Sequence, residues 1–329
     1  MTFSVSCGKN IINIQIKQKY FCEQRKRRQN DEGITKKILI DTDLGDDIDD
    51  SAALIMALNS PELEIVGITT VYLDTVKRAE MVLELCSKYG RNDIPVCAGF
   101  GRPIIERPDS GAFPLQYEIL EEDRKDKVIT ETDGADFIIQ KVKEYPDLTI
   151  VEMGCMTNLG IAFYREPDLM KDIPVVAMGG VFSGSFPEWN LKCDPEAARM
   201  VMNYAEHLKM FGLEVTKHCL IQDALAEILC PENNERMQYY KTGLQIFRKK
   251  MGYVYTFHDV LLIAYLLDPT VAEMEQSDFT VELCGYHTRG AIVLKTNAYD
   301  LNADVEKDFY YAKSMDEQRF RKLIEERIF

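Results

Sequence analysis

Ile38-Leu39-Ile40-Asp41-Thr42-Asp43-Leu44-Gly45-Asp46-Asp47-Ile48-Asp49-Asp50 is the stretch that decides how this chain folds. Its apolar start reads as a buried strand over Ile38 to Asp41. The stretch that follows, Ser51-Ala52-Ala53-Leu54-Ile55-Met56-Ala57-Leu58, is strongly helical. Six aspartates within ten residues bridge the strand end and the helix start. That junction is the usual place for a site in an α/β protein. Crowded carboxylates repel one another and raise each other's pKa unless something positive holds them. A divalent cation is the simplest answer, and oxygen-only ligands point to a hard ion, Ca²⁺ or Mg²⁺.

Helix capping and the macrodipole account for one or two of Asp47, Asp49 and Asp50. They do not account for Asp41 and Asp43, which alternate at the end of the strand. An EF-hand loop fails on spacing, because Gly45 and Ala52 stand where the fifth and twelfth ligands belong.

Outward from this stretch, strand-like runs alternate with helical ones. The strands are Ile65 to Val71, Pro95 to Cys97, Thr149 to Met153 and Pro174 to Met178. Helical patterns cover about Asp50 to Leu58, Val76 to Tyr89, Ala135 to Tyr145, Pro195 to Glu206 and Val260 to Leu267. The alternation predicts an α/β fold with an open, mostly parallel sheet and helices on both faces. Two later runs, Phe279 to Cys284 and Ala291 to Lys295, read as a hairpin or edge strands. Residues 36–329 form one domain on this reading, preceded by an N-terminal extension, residues 1–35.

The extension carries seven Lys/Arg against three Asp/Glu, opposite in sign to the chain's net charge of -15. That net charge argues against nucleic acid or an anionic membrane as partner. Nine cysteines without close pairs suit a reducing compartment. Cys155 and Cys193 read first as small buried residues. No apolar run reaches membrane-spanning length, and no signal-peptide layout is present. The expected location is the cytoplasm.

Four further segments fall at strand ends or helix starts. They are Val71 to Thr75, Met153 to Asn158, Pro187 to Glu196, and His258-Asp259. In an open sheet such ends gather on one edge and can share a site with the acids. Taken together, the segments resemble the inosine-uridine preferring nucleoside hydrolases. The matching pieces are the Asp-x-Asp-x-Gly loop with its final Asp pair, Gly67 to Val71, Gly154 to Asn158 and Met178-Gly179-Gly180. Glu188-Trp189-Asn190 through Asp194-Pro195-Glu196-Ala197, His258-Asp259 and Thr288-Arg289-Gly290 complete the set. The resemblance covers about Lys37 to Leu294, and the order and spacing of its pieces are more specific than any one of them.

The resemblance implies a Rossmann-like nucleoside hydrolase fold and an N-glycosyl hydrolase of purine or pyrimidine ribonucleosides. The implied reaction yields ribose and free base from a Ca²⁺-bound water activated by Asp43. Carried over, the Ca²⁺ ligands are Asp43, Asp50, Asp259 and the carbonyl of Met153. Ribose contacts fall on Asp49, Glu188, Asn190 and Asp259, with Met178 and Asp74 also on the substrate side. His258 matches a residue beside the leaving base. The implied partner is a small-molecule nucleoside in salvage, handled by a homo-oligomer, a dimer or tetramer.

Independent chemistry agrees with these roles. Breaking an N-glycosidic bond builds oxocarbenium-like charge on the sugar, which nearby carboxylates stabilise. Calcium acidifies water far less than zinc, so a separate base such as Asp43 is needed.

The chain also departs from the family pattern. The acid loop carries Asp47-Ile48 as extra residues, which makes Asp47 the alternative to Asp50 as bidentate ligand. Leu44 stands where Pro is usual, and Met156 where Leu is. Asp74 stands where relatives carry a ribose-binding Asn. The stretch before Glu188 is shorter, with Ser185 nearest to the usual Asn. The His that commonly follows the third strand is absent from Phe100 to Tyr117.

Two other classes compete. A non-catalytic homologue would keep Ca²⁺ and ribose without hydrolysis. A Mg²⁺-dependent phosphohydrolase also places Asp-x-Asp after a first strand, but Gly45 stands where Thr or Val is needed, and a matching Lys and acidic pair are missing.

Overall fold

Ile38, Leu39 and Ile40 form the middle of strand β1 (Lys36–Thr42) in the computed structural model. It describes residues 35–106, 114–120, 124–221, 235–252, 256–295 and 308–328. The expected N-terminal extension lies outside the described residues, Thr35 excepted. Successive side chains leave a strand on opposite faces. Ile38 and Ile40 therefore enter one core with Ala52, Ile55 and Leu262, and Leu39 enters the other with Ile138 and Leu159. Burial on both faces is why the run is uniformly apolar.

The remaining strands are β2 (Leu63–Thr70), β3 (Val96–Ala98), β4 (Thr149–Glu152), β5 (Val175–Met178) and β6 (His207–Phe211). They continue with β7 (Ala272–Gln276), β8 (Phe279–Val281), β9 (Ile292–Leu294) and β10 (Asp308–Met315). Eight make one sheet in the order β3-β2-β1-β4-β5-β6-β10-β7. All its pairings are parallel except that of β7 with β10. The two late runs do pair, antiparallel, but as a separate two-stranded sheet of β8 and β9. From β1 the chain works outward to β3 on one side and from β4 to β6 on the other. The reversal lies between β1 and β4, and their carboxyl ends open the crevice where such sheets bind ligands.

The helices are α1 (Asp49–Leu58), α2 (Thr75–Lys88), α3 (Gly134–Glu144), α4 (Thr157–Arg165), α5 (Pro167–Met170) and α6 (Trp189–Cys193). They continue with α7 (Pro195–Tyr204), α8 (Leu213–Thr216), α9 (Glu235–Met251), α10 (Val260–Leu267) and α11 (Glu317–Arg327). α10, Val-Leu-Leu-Ile-Ala-Tyr-Leu-Leu, is apolar all round because it is a core helix packed against α1. Asp268-Pro269 ends it, since proline disfavours a helical residue before it. Gly160 lets α4 approach α7: a Cβ there would stand 2.9 Å from the Cα of Ala197. Among the described residues no helix is long and apolar enough to cross a membrane.

Two strands that the pattern did not predict, β6 and β7, have polar residues in their runs. β6 alternates His207 and Lys209 with buried Leu208 and Met210, so its apolar run is broken. β7 is an edge strand with Glu273 and Glu275, the charged composition that discourages edge pairing with other chains.

Candidate active site

Two helix N-termini meet at the acid cluster. α1 begins with Asp49 and Asp50, and α10 begins directly after Asp259. The Asp259 amide donates to Oδ2 of Asp49 at 3.2 Å. Unpaired N–H groups and the macrodipole favour negative charge at such ends, which offsets part of the cost of enclosing acids there. One carboxylate oxygen from each of Asp49, Asp50 and Asp259 lies within 4.8 Å of the others, and all three residues are buried. None of the three has an ion pair among the described residues; Arg78 pairs with Asp46, at 2.6 Å. Burial pushes all three well above the usual carboxylate range, and the charges of their neighbours push them further.

Asp43 opens onto the same space from the end of β1. Loss of surrounding water pushes it up to about 6, against the pull of the Arg78 guanidinium. Gly154 at the end of β4 makes room for it, since a Cβ there would stand 2.6 Å from Val71 and 3.2 Å from the Asp43 nitrogen. Asp50 is fixed by the Thr42 hydroxyl, which donates to its Oδ1. Asp43 and Asp47 both lie outside the close group of three; the Oδ1 of Asp47 accepts from the Ile48 amide at 2.6 Å.

A cavity of about 660 Å³ is lined by Asp43, Asp49, Asp50, Met153, Met178, Glu188, Asn190, His258 and Asp259. Every site residue expected from the sequence is thus brought together except Asp74. The rest of the lining includes Tyr72, Leu73, Leu213, Phe247 and Met251, so an acidic end adjoins apolar wall. The volume is that of a small-molecule pocket, roughly 300–1,000 Å³.

Glu188 caps α6. Its carboxylate accepts from the amides of Asn190 at 2.9 Å, Leu191 at 3.3 Å and Gly180 at 3.1 Å. Burial raises its pKa and these bonds partly lower it. Asn190 joins the ends of β4 and β5, with Nδ2 donating to the Met153 carbonyl at 2.8 Å and the Met178 carbonyl at 3.4 Å. The Met153 carbonyl keeps a second lone pair. His258 is held through Nδ1 and the Thr216 hydroxyl at 2.8 Å, and burial lowers its pKa to about 4.

Asp74 is the one expected site residue outside that lining. Its carboxylate caps α2, accepting from the Lys77 amide at 3.2 Å and pairing with the Lys77 ammonium at 3.2 Å. It does not line the cavity; Tyr72 and Leu73 just before it do. Both have left-handed backbone, φ 68° and 60°, a strained choice for residues with a Cβ. Phe182 also stays out of the cavity, stacking on Tyr311 with ring centroids 4.7 Å apart. Trp189 lines it and is half exposed.

Sequence reasoning missed Arg78. It is fully buried, and Nε donates to the Tyr72 carbonyl at 2.8 Å. Nη1 donates to the Asp43 carbonyl and, at 3.1 Å, to that of Leu44. One cation thereby fixes both the acid loop and the strained wall. Nothing in Lys77-Arg78 on a helix marks which of the two points inward. Asn158, inside a matched motif, likewise ties strand ends together: Nδ2 donates to Asp41 at 2.8 Å and to the Thr70 carbonyl at 3.1 Å.

Comparison with known proteins fits this geometry. Residues 38–322 match the family model of the inosine-uridine preferring nucleoside hydrolases. The chain is 29% identical to the inosine-uridine preferring nucleoside hydrolase of Crithidia fasciculata, over 78% of this chain and 87% of that protein. It is 30% identical to a probable uridine nucleosidase 2 of Arabidopsis thaliana, over 80% of this chain and 87% of that protein. The solved structure of a plant nucleoside hydrolase superposes with a TM-score of 0.77 at 25% identity, covering 89% of this chain and 98% of that one. The chain belongs to the inosine-uridine preferring nucleoside hydrolase family, and is by that membership a glycosidase.

Proposed function

We propose that this chain hydrolyses the N-glycosidic bond of ribonucleosides, releasing ribose and free base, with Ca²⁺ as its cofactor. The observation that carries the reading is the buried Asp49, Asp50 and Asp259 group facing an apolar-walled cavity. Three carboxylates without an ion pair among the described residues make an all-oxygen donor set that suits a hard cation. Asp43, Asp50, Asp259 and the Met153 carbonyl would hold it, with Asp49 as a further oxygen donor close by. When bound, the cation would orient the attacking water and the ribose hydroxyls.

The chain's own residues do the rest. Asp43, with a pKa raised to about 6, is suited to take a proton from water near neutral pH. Asp49, Glu188, Asn190 and Asp259 are spaced around the acidic end to meet ribose hydroxyls. The negative charge of Asp49, Glu188 and Asp259 favours the cationic sugar of the transition state over the neutral substrate. The apolar lining, with Trp189 at its edge, accommodates the base. His258 reaches the same cavity and offers a hydrogen bond to the departing base.

The test is release of reducing sugar from mixed ribonucleosides by the full chain, with and without a chelator. The expected result is free ribose that disappears on chelation and returns with Ca²⁺. Calcium binding without any ribose release would favour a non-catalytic ribose-binding protein and overturn the proposal.

A further inference from the structure

His258 has two ring nitrogens, and the structure distinguishes them. Nδ1 lies 2.8 Å from the Thr216 hydroxyl. Among the described residues the ring has no other hydrogen-bond partner, and His258 lines the cavity. Thr216 is fully buried at the end of α8. Its hydroxyl has no other partner among the described residues.

A hydroxyl carries one hydrogen, and a neutral imidazole carries one N–H and one bare nitrogen. If Nδ1 carried the ring hydrogen, the Thr216 hydroxyl hydrogen would be buried without an acceptor, which is costly. If the hydroxyl donates to a bare Nδ1, every hydrogen is used and the ring's N–H is at Nε2. The two segments are tied close together. The Phe257 amide donates to the Cys219 carbonyl at 2.9 Å, and Leu220 bridges Thr256 in antiparallel fashion. This pairing sets Thr216 and His258 side by side independently of the hydrogen bond itself.

We infer that Thr216 is a positioning residue that locks His258 as the Nε2–H tautomer and directs that N–H at the departing base. The inference rests on the proposed hydrolysis and on the role given there to His258. As the C1′–N bond breaks, its electron pair stays on the base, and the Nε2–H hydrogen bond stabilises the growing charge. The ring keeps its hydrogen, so no proton relay is needed for this contribution. Bases with poor leaving ability gain from it, whereas a nitrophenolate carries its own charge well.

The experiment compares Thr216→Val, Thr216→Ser, His258→Ala and the Thr216→Val/His258→Ala pair on inosine and on 4-nitrophenyl riboside. Thr216→Val should lower kcat on inosine about tenfold, the worth of one misplaced hydrogen bond, with KM and 4-nitrophenyl riboside turnover little changed. Thr216→Ser should restore the rate, and the double variant should be no slower than His258→Ala. Equal losses on both substrates in His258→Ala would remove the leaving-group role itself. If His258→Ala is selective but Thr216→Val matches the parent on inosine, or loses both substrates equally, the Thr216 inference falls alone. Ring ¹⁵N spectra of the unmutated protein give an answer even if a variant misfolds: hydrogen on Nε2 supports the inference, and hydrogen on Nδ1 overturns it.

Discussion

The Asp259 amide and the Asp49 carboxylate, 210 residues apart in the chain, meet at 3.2 Å and bring two helix starts to one point. The bond uses the backbone of Asp259 and leaves its carboxylate to the acid group. Asp259→Asn therefore preserves the contact and nearly the same shape while removing one negative charge. Binding that favours the native state stabilises it by about 2.7 kcal/mol at a hundredfold excess over Kd. Calcium should raise the Tm of chelator-treated parent protein, and the rise should shrink severalfold in Asp259→Asn. An equal rise in both would exclude Asp259 from the cation site.

Protons and cation compete for the same carboxylates. Burial, then mutual repulsion, holds Asp49, Asp50 and Asp259 well above their usual range, and burial lifts Asp43 to about 6. A folded pKa above the unfolded one means that the native state binds more protons between the two values. The contribution of these acids to stability is therefore present below the unfolded pKa, about 4, and is lost as pH rises through the folded values. Calcium reverses this by favouring the ionised form. The Tm difference between calcium-loaded and chelated protein should widen from about pH 5 to about pH 8. Differencing cancels groups that titrate alike in both. A constant or narrowing difference would contradict the assignment.

Asp43→Asn separates binding from chemistry. The amide keeps an oxygen and the shape of the side chain but cannot accept the proton of water. Loss of a general base costs about 10²- to 10⁴-fold. Calcium and ribose binding should largely persist, because Asp50, Asp259 and the Met153 carbonyl remain. Steady-state kinetics with calorimetric calcium binding checks both halves. Unaltered kcat would mean that the base lies elsewhere.

Much of the site was legible because strand ends in a parallel sheet must gather on one edge. The residues after β1, β4 and β5 therefore had to be neighbours. Asp74 shows where that logic stops. It too follows a strand, β2, but the left-handed turn at Tyr72 and Leu73 leaves it capping α2, and no pattern of residue types announces such a turn. Thr216 was hidden for another reason: it sits on a four-residue helix after β6, whose His and Lys disguise the strand. If capping is the whole role of Asp74, Asp74→Ala should cost about 1 kcal/mol in urea unfolding and leave kcat/KM on nucleosides unaltered. A specific rise in KM would return Asp74 to the substrate side.

Arg78 and Asp46 form an ion pair at 2.6 Å with unequal surroundings: the arginine side chain is fully buried and the aspartate is 33% exposed. Their removal should therefore be unequal too. Asp46→Asn keeps an oxygen facing the guanidinium, and Arg78 still donates to the carbonyls of Asp43, Leu44 and Tyr72. Its cost should be about 1 kcal/mol, near that of one weakened hydrogen bond. Arg78→Met strands those three carbonyls, at about 1–3 kcal/mol for each group left buried and unpaired. It also frees the strained turn at Tyr72 and Leu73 to relax. Its total should be about 3 kcal/mol or more in chelated protein, with nucleoside KM raised because Tyr72 and Leu73 line the cavity. Equal destabilisation by the two substitutions would show that Arg78 acts through the ion pair alone and leaves the backbone of the acid loop to hold itself.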